Sequence, residues 1–169
     1  PRMVPIMTSR GCPFKCTFCC YELVETKYRD RNLDDVMAEI EFLIDRYDIN
    51  TLFISDDLFS PKKSRLIDFC ERVKPLNLNW QCSLRVKPLT RETLEIMRDS
   101  GCKTVAFGIE SASPDVLVSM NKKITVADIN ETLKTTYDIG LGFGGNLIFC
   151  DPAETGKTVK ESLQWFADN

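Results

Sequence analysis

An α/β fold built on a parallel sheet follows from three features of this 169-residue sequence. Short apolar runs alternate with segments whose apolar residues recur every three or four positions, and the pair repeats five times. Parallel strands need long crossovers, and each interval between runs leaves room for a helix. Runs such as Leu52-Phe53-Ile54 and Val105-Ala106-Phe107 are continuously apolar, as strands covered by helices tend to be.

Met3 to Thr8 reads as the first strand, running into a cysteine-rich loop. Leu33, Val36, Met37, Ile40, Leu43, Ile44 and Tyr47 then mark one face of an amphipathic helix. Thr51 to Ser55 is the second strand and ends in Asp56-Asp57. Ser60-Pro61 has the form of an N-cap followed by proline at the first helical position, opening a helix to about Val73. Asn79 to Arg85 is the third strand, and Thr90 caps a helix through Met97 to Gly101. Thr104 to Ile109 is the fourth, closing on Glu110-Ser111. Ser113-Pro114 repeats the cap-and-proline start, and Thr125 with Asp128 opens a longer helix ending at Gly140. Phe143 to Phe149 is the fifth strand, and a last helix runs from about Thr155 to the end. No linker or low-complexity segment interrupts residues 1–169, which read as one domain.

Two short segments invite misreading. Gly140, Gly142 and Gly145 spell GxGxxG, but a dinucleotide fingerprint follows a strand and opens a helix, and this one does the reverse. Gly140 is instead a helix cap, and Gly144-Gly145 are strand positions where a ligand or another backbone comes close. Lys122-Lys123 reads as a solvated turn.

Composition narrows the function. With 43% hydrophobic and 28% charged residues, the chain can bury a core and is not disordered. Lysine plus arginine total 22 against 25 acids, without a basic run, so the footprint of a nucleic-acid binder is missing. No apolar stretch is long enough for a bilayer, and Pro1 to Arg10 lack a signal-peptide pattern, so a cytoplasmic protein is expected. There is no histidine, which removes Ser-His-Asp triads, Cys-His pairs and HExxH zinc sites.

Against that stand eight cysteines. Cys70, Cys82, Cys102 and Cys150 are scattered and read as small core hydrophobes. Cys12, Cys16 and Cys19 form C-x3-C-x2-C, with Cys20 adjoining. Three soft thiolates on one tight loop can wrap a metal centre from a single side, and sulfur ligands select iron-sulfur, zinc or copper(I). Three ligands on a four-iron cube leave one iron open to a substrate or cofactor. A structural zinc knot with Cys20 or Cys82 as fourth ligand remains open, as does a closed electron-relay cluster; either would make this a non-catalytic module. In parallel α/β sheets ligands gather at the carboxyl ends of the strands. The cysteine loop, Asp56-Asp57, Arg85 and Glu110-Ser111 all fall at such ends. Asp56-Asp57 could also serve as acids ahead of a helix N-terminus, and Arg85 as a salt-bridged strand end. Glu110 abuts an apolar run and needs a partner.

Thr8-Ser-Arg-Gly-Cys12-Pro-Phe-Lys-Cys16-Thr-Phe-Cys19 resembles the cluster loop of the radical S-adenosylmethionine (SAM) superfamily. Phe53-Ile-Ser-Asp-Asp57, Arg85, Gly101 to Ser111 and Asp151-Pro-Ala-Glu-Thr155 resemble, in order, landmarks of its cobalamin-binding branch. The resemblance implies a partial (β/α) TIM-like barrel, usually of six units, of which five are counted here. It implies that Cys12, Cys16 and Cys19 ligate a 4Fe-4S cluster whose open iron is chelated by SAM. Reductive cleavage of SAM would then give methionine and a 5′-deoxyadenosyl radical, with a flavodoxin- or ferredoxin-type protein as electron donor. Within that frame Asp56 or Asp57 accepts from the methionine amine, and Arg85 pairs with its carboxylate. Glu110 accepts ribose hydroxyls with Ser111 assisting, and Phe18 packs on adenine or the cluster. The resemblance further implies a methyltransferase or a ring-forming or rearranging catalyst, with cobalamin carried by a domain outside this chain. The chain therefore reads as an excerpt of a longer enzyme with an exposed sheet edge. Cys150 stands where that family commonly has glycine.

Overall fold

Residues 1–20 and 27–169 are described by a computed structural model. The sheet contains β1 (Met3–Ile6), β4 (Thr51–Ile54), β5 (Asn79–Leu84), β6 (Cys102–Glu110) and β7 (Gly142–Leu147), all parallel and in that spatial order. Spatial order equals chain order, so each crossover adds one strand at the same edge, as in an open, partial (β/α) barrel. The crossovers carry helices α1 (Leu33–Tyr47), α2 (Lys63–Val73), α3 (Arg91–Asp99), α4 (Pro114–Ser119) and α5 (Val126–Asp138); α6 (Gly156–Asp168) follows β7.

Burial alternates along the inner strands because successive side chains point to opposite faces. On one face Leu52, Ile54, Trp80, Val105 and Phe107 are buried against α1 (Val36, Ile40), α2 (Leu66, Phe69) and α3 (Leu94, Met97). Removing each such side chain from water contributes about 1.5–3 kcal/mol, making this helix-side layer the main source of stability. Its densest point is the trio Phe59, Phe69 and Trp80, whose ring centroids lie 5.1–5.8 Å apart edge to face. The Trp80 indole N–H donates to the Ser100 carbonyl at 3.1 Å, so its polar atom is satisfied in the core. The opposite face stays open: Phe53 of β4 is 39% exposed.

Helix α1 begins and ends where its periodicity predicts, with Asn32 accepting from the Asp34 N–H. Thr90 caps α3, and Thr125 with Asp128 forms a capping box on α5. The Ser60-Pro61 expectation is corrected. Helix α2 starts at Lys63, and Ser60 adopts a left-handed backbone (φ 37°) while its hydroxyl donates to the Lys62 carbonyl. The same dipeptide does start a helix at Ser113-Pro114, although the Ser113 hydroxyl donates to Glu161 of α6 instead of capping. The first strand is also shorter than expected. After Ile6 the chain leaves the sheet, and Ser9–Arg10 (β2) pairs antiparallel with Arg29–Asp30 (β3), a ribbon that flanks the cysteine loop.

Candidate metal centre

The cysteine loop is tied down at both ends. Asp56, buried at the end of β4, accepts from the Thr8 N–H and hydroxyl, both at 2.6 Å, and from the Ser9 hydroxyl at 2.7 Å. Asp57 accepts from the Gly11 N–H at 2.8 Å, where the chain turns with φ 78°. On the far side, the Thr17 N–H donates to the Met120 carbonyl and its hydroxyl to the Ser119 carbonyl. The Asn121 amide donates to the Lys15 carbonyl at 2.6 Å. The end of β4 and the turn after α4 therefore hold the loop across the mouth of the sheet.

Cys12, Cys16 and Cys19 all line one cavity of about 260 Å³ at the carboxyl ends of the strands. Phe18, Asp57, Arg85, Glu110 and Lys122 share its wall, and Ser83, Ala106 and Gly108 form its floor. Among the described residues, no three of Cys, Asp and Glu converge tightly enough for a single metal ion. Each of the three thiols lines the same cavity, and in a multi-iron cluster the ligands bind different irons. Cys20 is exposed, and Cys82 lies in the core on the helix side, so neither joins the three. Burial raises the Cys12 thiol above its ordinary range, opposed by a backbone hydrogen bond at Phe14 and by the Arg85 charge. The donor set and the space fit an iron-sulfur centre.

Arg85 is committed to this loop. Its guanidinium lies 3.9 Å from the centre of the Phe14 ring, donates to the Cys16 sulfur at 3.4 Å, and hydrogen-bonds the Lys122 carbonyl. It braces the loop through these three contacts rather than presenting a free fork. Glu110 has a left-handed backbone (φ 67°) and pairs with the Lys122 ammonium at 2.7 Å, both side chains being nearly buried. A Cβ on Gly108 would stand 2.5 Å from Glu110 Oε1 and 2.8 Å from Lys122 Nζ, so glycine there leaves space for the pair.

The sequence-derived residues thus divide. Cys12, Cys16, Cys19, Phe18, Asp57, Arg85 and Glu110 meet at one cavity. Asp56 does not reach it, because its carboxylate is consumed by Thr8 and Ser9. Ser111 faces away, its hydroxyl bonded to Ser162 of α6 and to the Ser113 N–H. Lys122, expected in a solvated turn, is 4% exposed inside the site, with its ammonium 5.7 Å from the Phe18 ring centre. Helix α4 spans only Pro114–Ser119, too short to carry the chain from the rim, so it returns Lys122 to the strand end it left. The brevity of that apolar stretch was the available signal.

The sequence profile of the radical SAM superfamily matches residues 6–166. The chain belongs to the radical SAM superfamily. It is 37% identical over 163 residues to an uncharacterized methyltransferase of Pyrococcus horikoshii, covering 95% of this chain and 36% of that protein. It is 28% identical over 164 residues to the anaerobic magnesium-protoporphyrin IX monomethyl ester cyclase of Rubrivivax gelatinosus, covering 95% of this chain and 30% of the cyclase. The radical SAM chain thus spans about a third of these relatives. Its fold is that of a radical SAM methyltransferase from Kitasatospora setae solved with cobalamin and a [4Fe-4S] cluster, with a TM-score of 0.87 and 22% identity. That likeness covers 98% of this chain and 32% of the other. Family membership implies a 4Fe-4S cluster and SAM as cofactors. Among the described residues, no helix is long and apolar enough to cross a membrane.

Proposed function

We propose that this chain is the cluster-bearing core of an enzyme that reductively cleaves SAM, with Cys12, Cys16 and Cys19 holding the 4Fe-4S cluster. The observation that carries this reading is the meeting of the three thiols with Asp57, Arg85, Glu110 and Lys122 at one cavity. When bound, cluster and SAM supply a one-electron cleavage of the sulfonium to methionine and a 5′-deoxyadenosyl radical. The chain's own residues bind, orient and exclude water. Asp57, already accepting from Gly11, keeps a second oxygen for an ammonium group. Lys122 offers a second cation beside Arg85 for a carboxylate, and its release lets Glu110 accept hydroxyls. Arg85 donates to the Cys16 sulfur and fixes the loop through Phe14. Phe18 offers an apolar wall for a ring.

In the whole protein this core serves a methyltransferase or cyclase, with cobalamin bound outside this chain and reduction by a flavodoxin- or ferredoxin-type donor. Support comes from the relatives' methyltransferase and cyclase names and from the cobalamin-bound structure of the same fold. A closed zinc or electron-relay site is disfavoured because Cys20 and Cys82 stand outside the cavity. The test is electron paramagnetic resonance on the anaerobically reconstituted, dithionite-reduced full-length protein, with and without SAM. The expected result is a reduced-cluster signal that shifts on adding SAM. A signal indifferent to SAM, or stoichiometric zinc without a cluster, overturns the proposal.

A further inference from the structure

Two cations stand in the wall of the cysteine cavity, and they differ in what surrounds them. The Lys122 ammonium is committed to Glu110, its ion-pair partner at 2.7 Å. Arg85 has no such partner. Among the described residues its guanidinium meets a ring, a sulfur and a carbonyl, and no carboxylate. Asp57, the other acid of that wall, accepts from the Gly11 N–H at the start of the loop. No acid occurs in residues 8–20 or 119–125, the cysteine loop and the turn that holds it.

The guanidinium is also fixed in place. It lies 3.9 Å from the centre of the Phe14 ring, which shields one of its faces from water. One N–H group reaches the Cys16 sulfur at 3.4 Å, and another donates to the Lys122 carbonyl. Leu84 and Val86, its neighbours in the chain, are buried and anchor the strand end that carries it. A charge held in this way is screened less than one on a free surface side chain. It acts on Cys12 as well as on Cys16.

We propose that Arg85 tunes the reduction potential of the cluster, its uncompensated charge at Cys16 favouring the reduced state. The inference rests on the reading that Cys12, Cys16 and Cys19 hold a 4Fe-4S cluster. Three thiolates outweigh the positive charge of an oxidised cluster core, so the assembly is already anionic. One electron from a low-potential donor makes it more so, and no bond or proton moves. A fixed cation that also donates to a ligand sulfur stabilises the more negative state and raises the potential. Bracing of the loop is a separate role: it needs the geometry of the guanidinium fork and is indifferent to charge.

The test is a redox titration of the full-length reconstituted protein without SAM, with dithionite as reductant and electron paramagnetic resonance as the readout. Arg85→Gln keeps N–H donors and removes the charge. It is expected to shift the reduction equilibrium about tenfold toward the oxidised cluster, a fall of about 59 mV for one electron. Arg85→Lys keeps the charge and removes the fork, and should stay within about threefold of the unaltered protein. A role in bracing alone would move both variants alike or neither, and either result overturns the proposal. Should Arg85→Gln fail to retain iron, the unaltered protein supplies a second reading. Grown with nitrogen-15 arginine, its reduced cluster should show a nitrogen coupling in pulsed resonance that disappears in Arg85→Lys. Absence of that coupling from the unaltered protein overturns the Arg85–Cys16 bond and the proposal with it. An unaltered protein that forms no cluster strikes the cluster reading as well, whereas a cluster indifferent to Arg85 strikes this inference alone.

Discussion

Cys12, Cys16 and Cys19 stand on the cavity side of the sheet, while Cys70, Cys82 and Cys102 are packed on its helix side. The second group is the more thoroughly enclosed, each of its members being at most 2% exposed. Burial pushes the Cys70 thiol from 9.0 up to about 12, and it also raises Cys82, which hydrogen-bonds Cys102. Cys70 and Cys82 therefore stay protonated and behave as small hydrophobes, whereas Cys150, expected in the core with them, is exposed. On the other side Arg85 donates to Cys16, and the loop opens onto polar space. The difference teaches that surroundings, not residue type, decide whether sulfur packs or ligates.

The largest effect that could break this comparison is loss of the centre itself. Cys16→Ala should drop cluster iron to background, whereas Cys82→Ala should keep it and lose only about 1–3 kcal/mol of stability. Iron analysis beside chemical denaturation checks both. A folded Cys82→Ala protein without iron would erase the division.

Next in size is reactivity. In the metal-free protein at pH 8, a thiol raised from 9.0 to about 12 holds about a thousandth of the thiolate of an unshifted one. Cys70 is also fully buried while Cys12 and Cys19 reach solvent, so iodoacetamide followed by peptide mapping should mark those two well before Cys70. The same shift sets a pH dependence. The unfolded chain gives up the Cys70 proton first, so its contribution to stability is complete below pH 9 and is lost as pH rises toward about 12. The thermal midpoint should fall across that window, and less steeply in Cys70→Ala.

The smallest effect separates two adjacent acids. Asp56 faces the helix side, near enough to Cys82 to raise that thiol, and Asp57 faces the cavity. Asp56→Asn leaves one oxygen for three donors and should cost about 1–3 kcal/mol in denaturation. Asp57→Asn should cost less than about 1 kcal/mol yet weaken SAM binding more. Reversal of that order would place the working carboxylate at 56.

Much of this was legible in the chain because it is local. Helix α1, the Thr90 cap and the Thr125–Asp128 box depend on residues within one or two turns. The cysteine spacing and the strand-end positions of Asp57, Arg85 and Glu110 depend on the same short range. Partnerships across 12 to 106 residues were not legible. They include Lys122 with Glu110, Arg85 with Cys16 and Asn121 with Lys15.

The sequence by itself determined the parallel α/β order, the three clustered thiols and the end of the sheet at which chemistry collects, since periodicity and spacing are properties of neighbours in the chain. Only the tertiary structure decided which acid of Asp56-Asp57 faces the cavity, because adjacent residues leave a strand end toward opposite sides. It also decided that Ser60-Pro61 turns while Ser113-Pro114 starts a helix, and that Lys122 is buried. Each of these outcomes is set by what packs against the residue, and that packing exists only once the chain has folded.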